Sequence, residues 1–175
     1  MTKIIDFKLK LLTQINFEQF KLFLDSLDEE RKTWSLDLQS FKNREEFYNS
    51  QKSVSLVCLF DEKIIGLIYW FKVHDDSQKI FTDEFKYFNT VKFSCVVKKE
   101  FHGMGVGTKL LLEQEKVCLR LGYDSVVGIT SNTNYAAHRY MEKAGWTMVG
   151  ERLDEYTFGK DQILILKKFK EDINE

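Results

Sequence analysis

The sequence predicts a mixed α/β fold, and three features point to it. Two apolar, β-branched runs, Val54 to Phe60 and Ile64 to Val73, are separated only by Asp61-Glu62-Lys63, the pattern of a β-hairpin. The alternating run Thr90 to Val97 leads through a glycine-rich joint into the apolar-periodic segment Leu110 to Leu121. Strand-like segments followed by helix-like ones flank the hairpin on both sides, which implies one sheet packed against helices.

In chain order, Ile4 to Leu12 alternates as a first strand, with Ile5, Phe7, Leu9 and Leu11 on one face and Asp6, Lys8 and Lys10 on the other. Asn16 is placed to cap a helix reaching Leu27, whose Phe17, Phe20, Leu24 and Leu27 recur at helical spacing as core positions. Asp28 to Lys52 is mostly polar but carries Trp34, Leu36, Leu38, Phe41, Phe47 and Tyr48, and a helix with one buried face is expected over Phe41 to Asn49. Gly66, inside the second hairpin strand, marks a bulge or a close backbone approach. His74 to Asn89 is a polar connection, and Gly122 is the expected stop of the helix ending at Leu121. Ser125 to Thr130 follows as a short buried strand, then a helix over Tyr135 to Ala144 ended by Gly145, then strands over Trp146 to Leu153 and Gln162 to Lys168. With no repeat, low-complexity tract or boundary signal, one domain is expected over residues 1–175.

Composition narrows the function. Lys and Arg number 26 against 27 Asp and Glu, so no global field draws the chain to nucleic acid or an anionic membrane. The longest apolar runs fall far short of the roughly 20 residues a spanning helix needs, and charges interrupt the first residues where a secretory core would lie, so a cytoplasmic location is expected. Cys58, Cys95 and Cys118 are widely spaced with no Cys-x-x-Cys pair, which suggests buried apolar side chains and neither a disulfide framework nor a metal site.

The joint His102-Gly103-Met104-Gly105-Val106-Gly107-Thr108-Lys109 places glycine at every second position between a strand and a helix. Glycine loses the most entropy on ordering, so the pattern suits a place where backbone amides approach something closely. A strand, a glycine turn and a helix together gather unpaired N–H groups and the positive end of the helix dipole, which makes a phosphate cradle. The dinucleotide fingerprint fails because Thr108 stands where its third glycine belongs, and the P-loop fails because the chain reads Gly107-Thr108-Lys109. The joint resembles instead the acetyl-CoA pyrophosphate loop of the GNAT acetyltransferase superfamily, Gln/Arg-x-x-Gly-x-Gly/Ala, with His102 in the Gln/Arg position and Gly105 and Gly107 in the glycine positions. Further along, Asn134 to Trp146 is similar to the superfamily's Asn-x-x-Ala-x-x-x-Tyr-x-x-x-Gly-Phe, with Asn134, Ala137, Gly145 and Trp146 at matching positions and Trp in place of Phe. The two motifs stand in the right order, each between a strand and a helix.

The resemblance implies the GNAT acyltransferase fold, a mixed, largely antiparallel central sheet flanked by helices, in a chain that transfers an acetyl group from acetyl-CoA to a primary amine. The acceptor would be a small molecule or a peptide, attacking directly in a ternary complex without a metal; homodimers are common in the family. The family's splayed strand carries over as Cys95, Val96 and Val97, pairing with the pantetheine arm. Its pyrophosphate loop carries over as His102, Gly103, Met104, Gly105, Val106, Gly107 and Thr108. Asn134 would reach the pantetheine or its sulfur, with Ala137 and Met141 on the same helix face. Met141 stands where the family's tyrosine protonates the leaving thiolate, and a thioether has no proton to give. Tyr140 is about 100° round the helix and reaches the sulfur only if the helix begins irregularly; otherwise water or another group protonates the thiolate. The same departure keeps open a catalytically weak or idle acetyl-CoA-binding module. The acceptor amine must be neutral to attack, and His74, Asp75, Asp76, Asp83 and Glu84 are the candidate bases.

Overall fold

The computed structural model describes residues 6–27, 44–72, 89–131, 134–152 and 162–169. Trp34, Leu36, Leu38, Phe41 and all five candidate bases lie outside these residues. The chain divides into two compact units, one of residues 1–69 and 95–110, the other of residues 70–94 and 111–175.

In the first unit, β1 (Lys8–Leu11), β2 (Leu56–Phe60) and β3 (Lys63–Lys72) pair consecutively and antiparallel. The hairpin is tighter than its three polar residues suggest: Asp61 and Glu62 alone make the turn, at φ 48° and 58°, and Lys63 already belongs to β3. Opposite Gly66 the β2–β3 register slips between Cys58 and Leu59. A Cβ on Gly66 would sit 3.0 Å from Leu110 Cδ1 and 3.1 Å from Val106 Cγ1, so the bulge and the close approach occur together.

Helix α1 (Phe17–Asp25) starts where Asn16 accepts from Gln19 N at 2.8 Å, the expected cap. Its Phe20 stacks on Phe47 of α2 (Arg44–Gln51), and the Phe47 ring meets Tyr69 edge-on at 5.1 Å. These three rings are fully buried, each stabilising the unit by roughly 1.5–3 kcal/mol through the apolar area it removes from water. Phe7, Phe60 and Phe101 form a second aromatic group.

In the second unit, the start of β4 (Thr90–Val97) runs parallel to β5 (Ser125–Ser131) over Thr90–Phe93 and Ser125–Gly128. β5 then pairs antiparallel with β7 (Gln162–Lys168), which pairs antiparallel with β6 (Thr147–Arg152). Placing the last strand between the two before it is a choice that alternation along a strand does not encode. The helices are α3 (Val106–Arg120), which begins in the first unit, and α4 (Tyr135–Lys143). Helix α3 starts four residues earlier than expected. Gly107 and Thr108 therefore belong to its first turn.

Candidate functional site

The glycine joint is built on the end of β4. Lys98 N donates to Ile65 O at 2.9 Å, which holds the strand end to β3, and a 3₁₀ turn over Lys99–Phe101 follows. His102 Nε2–H donates to Val97 O at 3.0 Å, so its ring is engaged on the last carbonyl of β4. Gly103 and Gly105 take φ 76° and 82°, and a Cβ at either would meet nothing within 4 Å among the described residues. Glycine is needed there for the left-handed backbone, and the open space leaves room for a ligand.

The amides of the joint divide into two sets. His102 N donates to Lys99 O at 3.1 Å and Met104 N to Phe101 O at 3.4 Å, and both are spent on the turn. Gly105, Val106, Gly107 and Thr108 open the helix, and their N–H groups have no acceptor among the described residues; the first helical bond of this turn is Lys109 N to Gly105 O. Four unpaired donors and the positive end of a 15-residue helix face one spot, with no acidic side chain in the first turn to fill it. Lys109 is held elsewhere, its Nζ donating to Phe7 O at 2.6 Å.

Of the strand residues put forward with the loop, Val96 is buried while Cys95 and Val97 are half-buried. Desolvation pushes the Cys95 thiol up to about 12, and Cys58 and Cys118 up to about 11. No thiolate is on hand as a nucleophile near neutral pH.

The second motif is described within its own unit. Asn134 caps α4: its Oδ1 accepts from Ala137 N at 3.2 Å, and His138 N bonds Asn134 O at 3.2 Å, so the helix starts regularly. With Oδ1 accepting at the cap, the Asn134 amide keeps its NH₂ as a donor for a ligand. Ala137, Met141 and Ala144 form the buried stripe, with Met141 3% exposed. Tyr140 lies off that stripe and is half-buried.

At the other end of α4, Gly145 N bonds Glu142 O at 2.9 Å and Trp146 N bonds Met141 O at 3.1 Å, with Gly145 at φ 79°. This is a Schellman stop. Beyond it lies a polar cluster that the sequence reading missed. Glu115 of α3 is nearly buried; its Oε1 accepts from Trp146 Nε1 at 2.8 Å and its Oε2 from Lys167 Nζ at 2.7 Å. Lys167 Nζ also donates to Ala144 O, at 2.7 Å. The available signal was Trp146 itself, whose indole N–H needs an acceptor when buried, where phenylalanine needs none.

Among the described residues no cluster of His, Cys, Asp or Glu could hold a metal ion, and no helix is long and apolar enough to cross a membrane. No curated protein matches the chain in sequence at a significant level. Solved structures do resemble it. YncA of Salmonella typhimurium, determined with its cofactor acetyl-CoA, superposes with a TM-score of 0.70 at 17% identity, covering 97% of this chain and 98% of that one. The GNAT-family acetyltransferase of Streptococcus pneumoniae gives 0.66 at 17% identity, over 94% of this chain and 100% of the other. The ribosomal-protein-alanine N-acetyltransferase of Brucella melitensis gives 0.58 at 13% identity, over 94% and 99%. At these identities the likeness establishes the fold. The profile of the acetyltransferase (GNAT) family matches residues 20–146, well over half of the chain, with both motifs inside the match, and the protein belongs to that family.

Proposed function

We propose that the protein is an acetyl-CoA-dependent N-acetyltransferase acting on a primary amine. The observation that carries this reading is the set of unpaired amides from Gly105 to Thr108 at the start of α3. These donors suit a pyrophosphate, which supplies several anionic oxygens at the positive end of a helix. Gly103 and Gly105 hold the turn open for it. The backbone of Cys95, Val96 and Val97 pairs with the pantetheine arm.

Acetyl-CoA, as the acyl-donor substrate, brings an activated thioester, and the chain supplies orientation and charge stabilisation. The Asn134 NH₂, which the cap does not use, is the donor for the thioester oxygen as negative charge develops there. The regular start of α4 keeps Tyr140 away from the Ala137 and Met141 face, so solvent protonates the thiolate. An amine acceptor is supported by the alanine N-acetyltransferase among the structural relatives. Met141 in the tyrosine position favours a second reading, an acetyl-CoA-binding module with little or no turnover.

Calorimetric titration with acetyl-CoA tests the donor site: binding by the native chain is expected, and its loss in Gly105→Glu, whose bulk and charge oppose the pyrophosphate. Thiol release with a panel of amines then separates enzyme from module. Asn134→Asp keeps the capping oxygen and removes the NH₂; retained binding with a rate about 10- to 100-fold lower is expected. No binding by the native chain sinks both readings.

A further inference from the structure

We propose that Lys167 is a positioning residue for the transfer reaction, the cation of a clamp with Glu115 and Trp146 that fixes helix α4 and, through it, the Asn134 amide. This rests on the acetyltransferase reading above. Helix α4 is short, nine residues, and its two ends are secured differently. The N-terminus is held by the Asn134 cap, the group that also carries the donor. The C-terminus ends in carbonyls that the helix itself leaves without donors, and Lys167 Nζ takes the one at Ala144.

Glu115 receives Trp146 on one oxygen and Lys167 on the other, and Lys167 divides its protons between Glu115 and Ala144. The Phe93 ring meets Trp146 edge-on at 4.9 Å, which backs the indole against β4. The partners come from α3, β7 and the segment after α4, separated by 52 and 31 residues along the chain. A part-buried ion pair is weak evidence for net stability, since desolvation offsets part of its attraction. What this pair does is fix geometry. A cation bonded at once to a nearly buried carboxylate and to a helix-terminal carbonyl sets where α4 ends, and a nine-residue helix carries any shift at its end to its other end. Misplacing a reacting group by about 1 Å costs up to about 100-fold in rate.

The test uses Lys167→Met, which keeps the stem and removes the donors, and Lys167→Arg, which keeps a charged donor able to reach both acceptors. In Lys167→Met, kcat is expected to fall about tenfold with KM for acetyl-CoA within about twofold, and Lys167→Arg restores most of it. In an Asn134→Asp background, Lys167→Met is expected to cause no further fall in kcat, because the group it positions is gone. Losses that multiply across the two substitutions overturn the proposal. Amide hydrogen exchange needs no turnover: Lys167→Met is expected to speed exchange along Ala137 to Met141 about tenfold relative to α1, and unchanged exchange there overturns the clamp. A native chain that turns over no amine refutes the acetyltransferase reading, and the exchange result still decides the clamp.

Discussion

The Phe93 ring lies directly on the backbone of Gly128: a Cβ at Gly128 would stand 2.5 Å from Phe93 Cε1. The two residues are partners in the parallel β4–β5 ladder, and the same ring meets Trp146 edge-on at 4.9 Å. Gly128→Ala is expected to destabilise the chain by about 1–3 kcal/mol through overpacking. Adding Phe93→Leu should recover part of that loss, so urea unfolding of both singles and the double will show a coupling that independent sites lack.

The β2–β3 turn runs through two residues with positive φ, Asp61 and Glu62, neither of them glycine. Asn-Gly is the pair this turn prefers, and Asp61→Asn with Glu62→Gly is expected to raise Tm by about 3 °C. The double variant loses the Lys8 pair with Glu62 at 2.9 Å and the weaker Lys10 contact at 3.8 Å. Both are exposed, and salt screens them. The gain in Tm should consequently be larger in 1 M salt than at low ionic strength; an equal gain in both would show that the ion pairs contribute nothing. The hydrogen bond to Glu62 raises the Lys8 pKa, and the same bond lowers that of Glu62. The pair's contribution is accordingly intact between the unfolded carboxylate value of about 4.3 and the unfolded lysine value of about 10.4, and fades as pH moves beyond either.

The desolvated thiols predict an alkaline weakness. An unfolded cysteine ionises near about 8.5, whereas desolvation holds Cys58 and Cys118 up to about 11 and Cys95 up to about 12 in the folded chain. The folded state keeps protons that the unfolded state has released. Stability is thus unaffected below about pH 8.5 and falls as pH rises toward the folded values, by up to about 1.4 kcal/mol per pH unit for each thiol. Unfolding by urea at pH 8, 9 and 10 measures the slope. Replacing the three cysteines by alanine should flatten it, with a remainder from Tyr123, whose pKa burial also raises. An unchanged slope in the triple variant would assign the alkaline loss to other groups.

Local features of the fold were legible where one residue type decides them. The bounds of β4 and β7 and the cap at Asn16 follow from alternation and from a side chain that accepts a backbone proton. The start of α3 did not follow, because reading glycine as a helix breaker ignores the first turn, where N–H groups are unpaired whatever the residue. That error bears on the site: it hid the distinction between His102 and Met104, whose amides serve the turn, and Gly105 to Thr108, whose amides are unpaired. The clamp of Glu115 and Lys167 joins residues 52 apart, a relationship that no local pattern contains. The family motif identified Trp146 as a substitution, and only the fold shows what its N–H does.

Met141 bears on how the reaction ends. It is buried on the same stripe of α4 as Ala137, while Tyr140 lies about 100° away on a helix that begins regularly, so no tyrosine occupies the face proposed for the thioester. With solvent as the proton donor, kcat measured from pH 7 to 10.5 should show no fall near the tyrosine value of about 10. Tyr140→Phe should change kcat less than about threefold. Met141→Tyr puts a phenol on the proposed face at a cost of about 1–3 kcal/mol in stability, and it should introduce the missing alkaline limb as that phenol ionises. A limb already present in the native chain and abolished by Tyr140→Phe would instead make Tyr140 the donor, and α4 would then have to turn when acetyl-CoA binds.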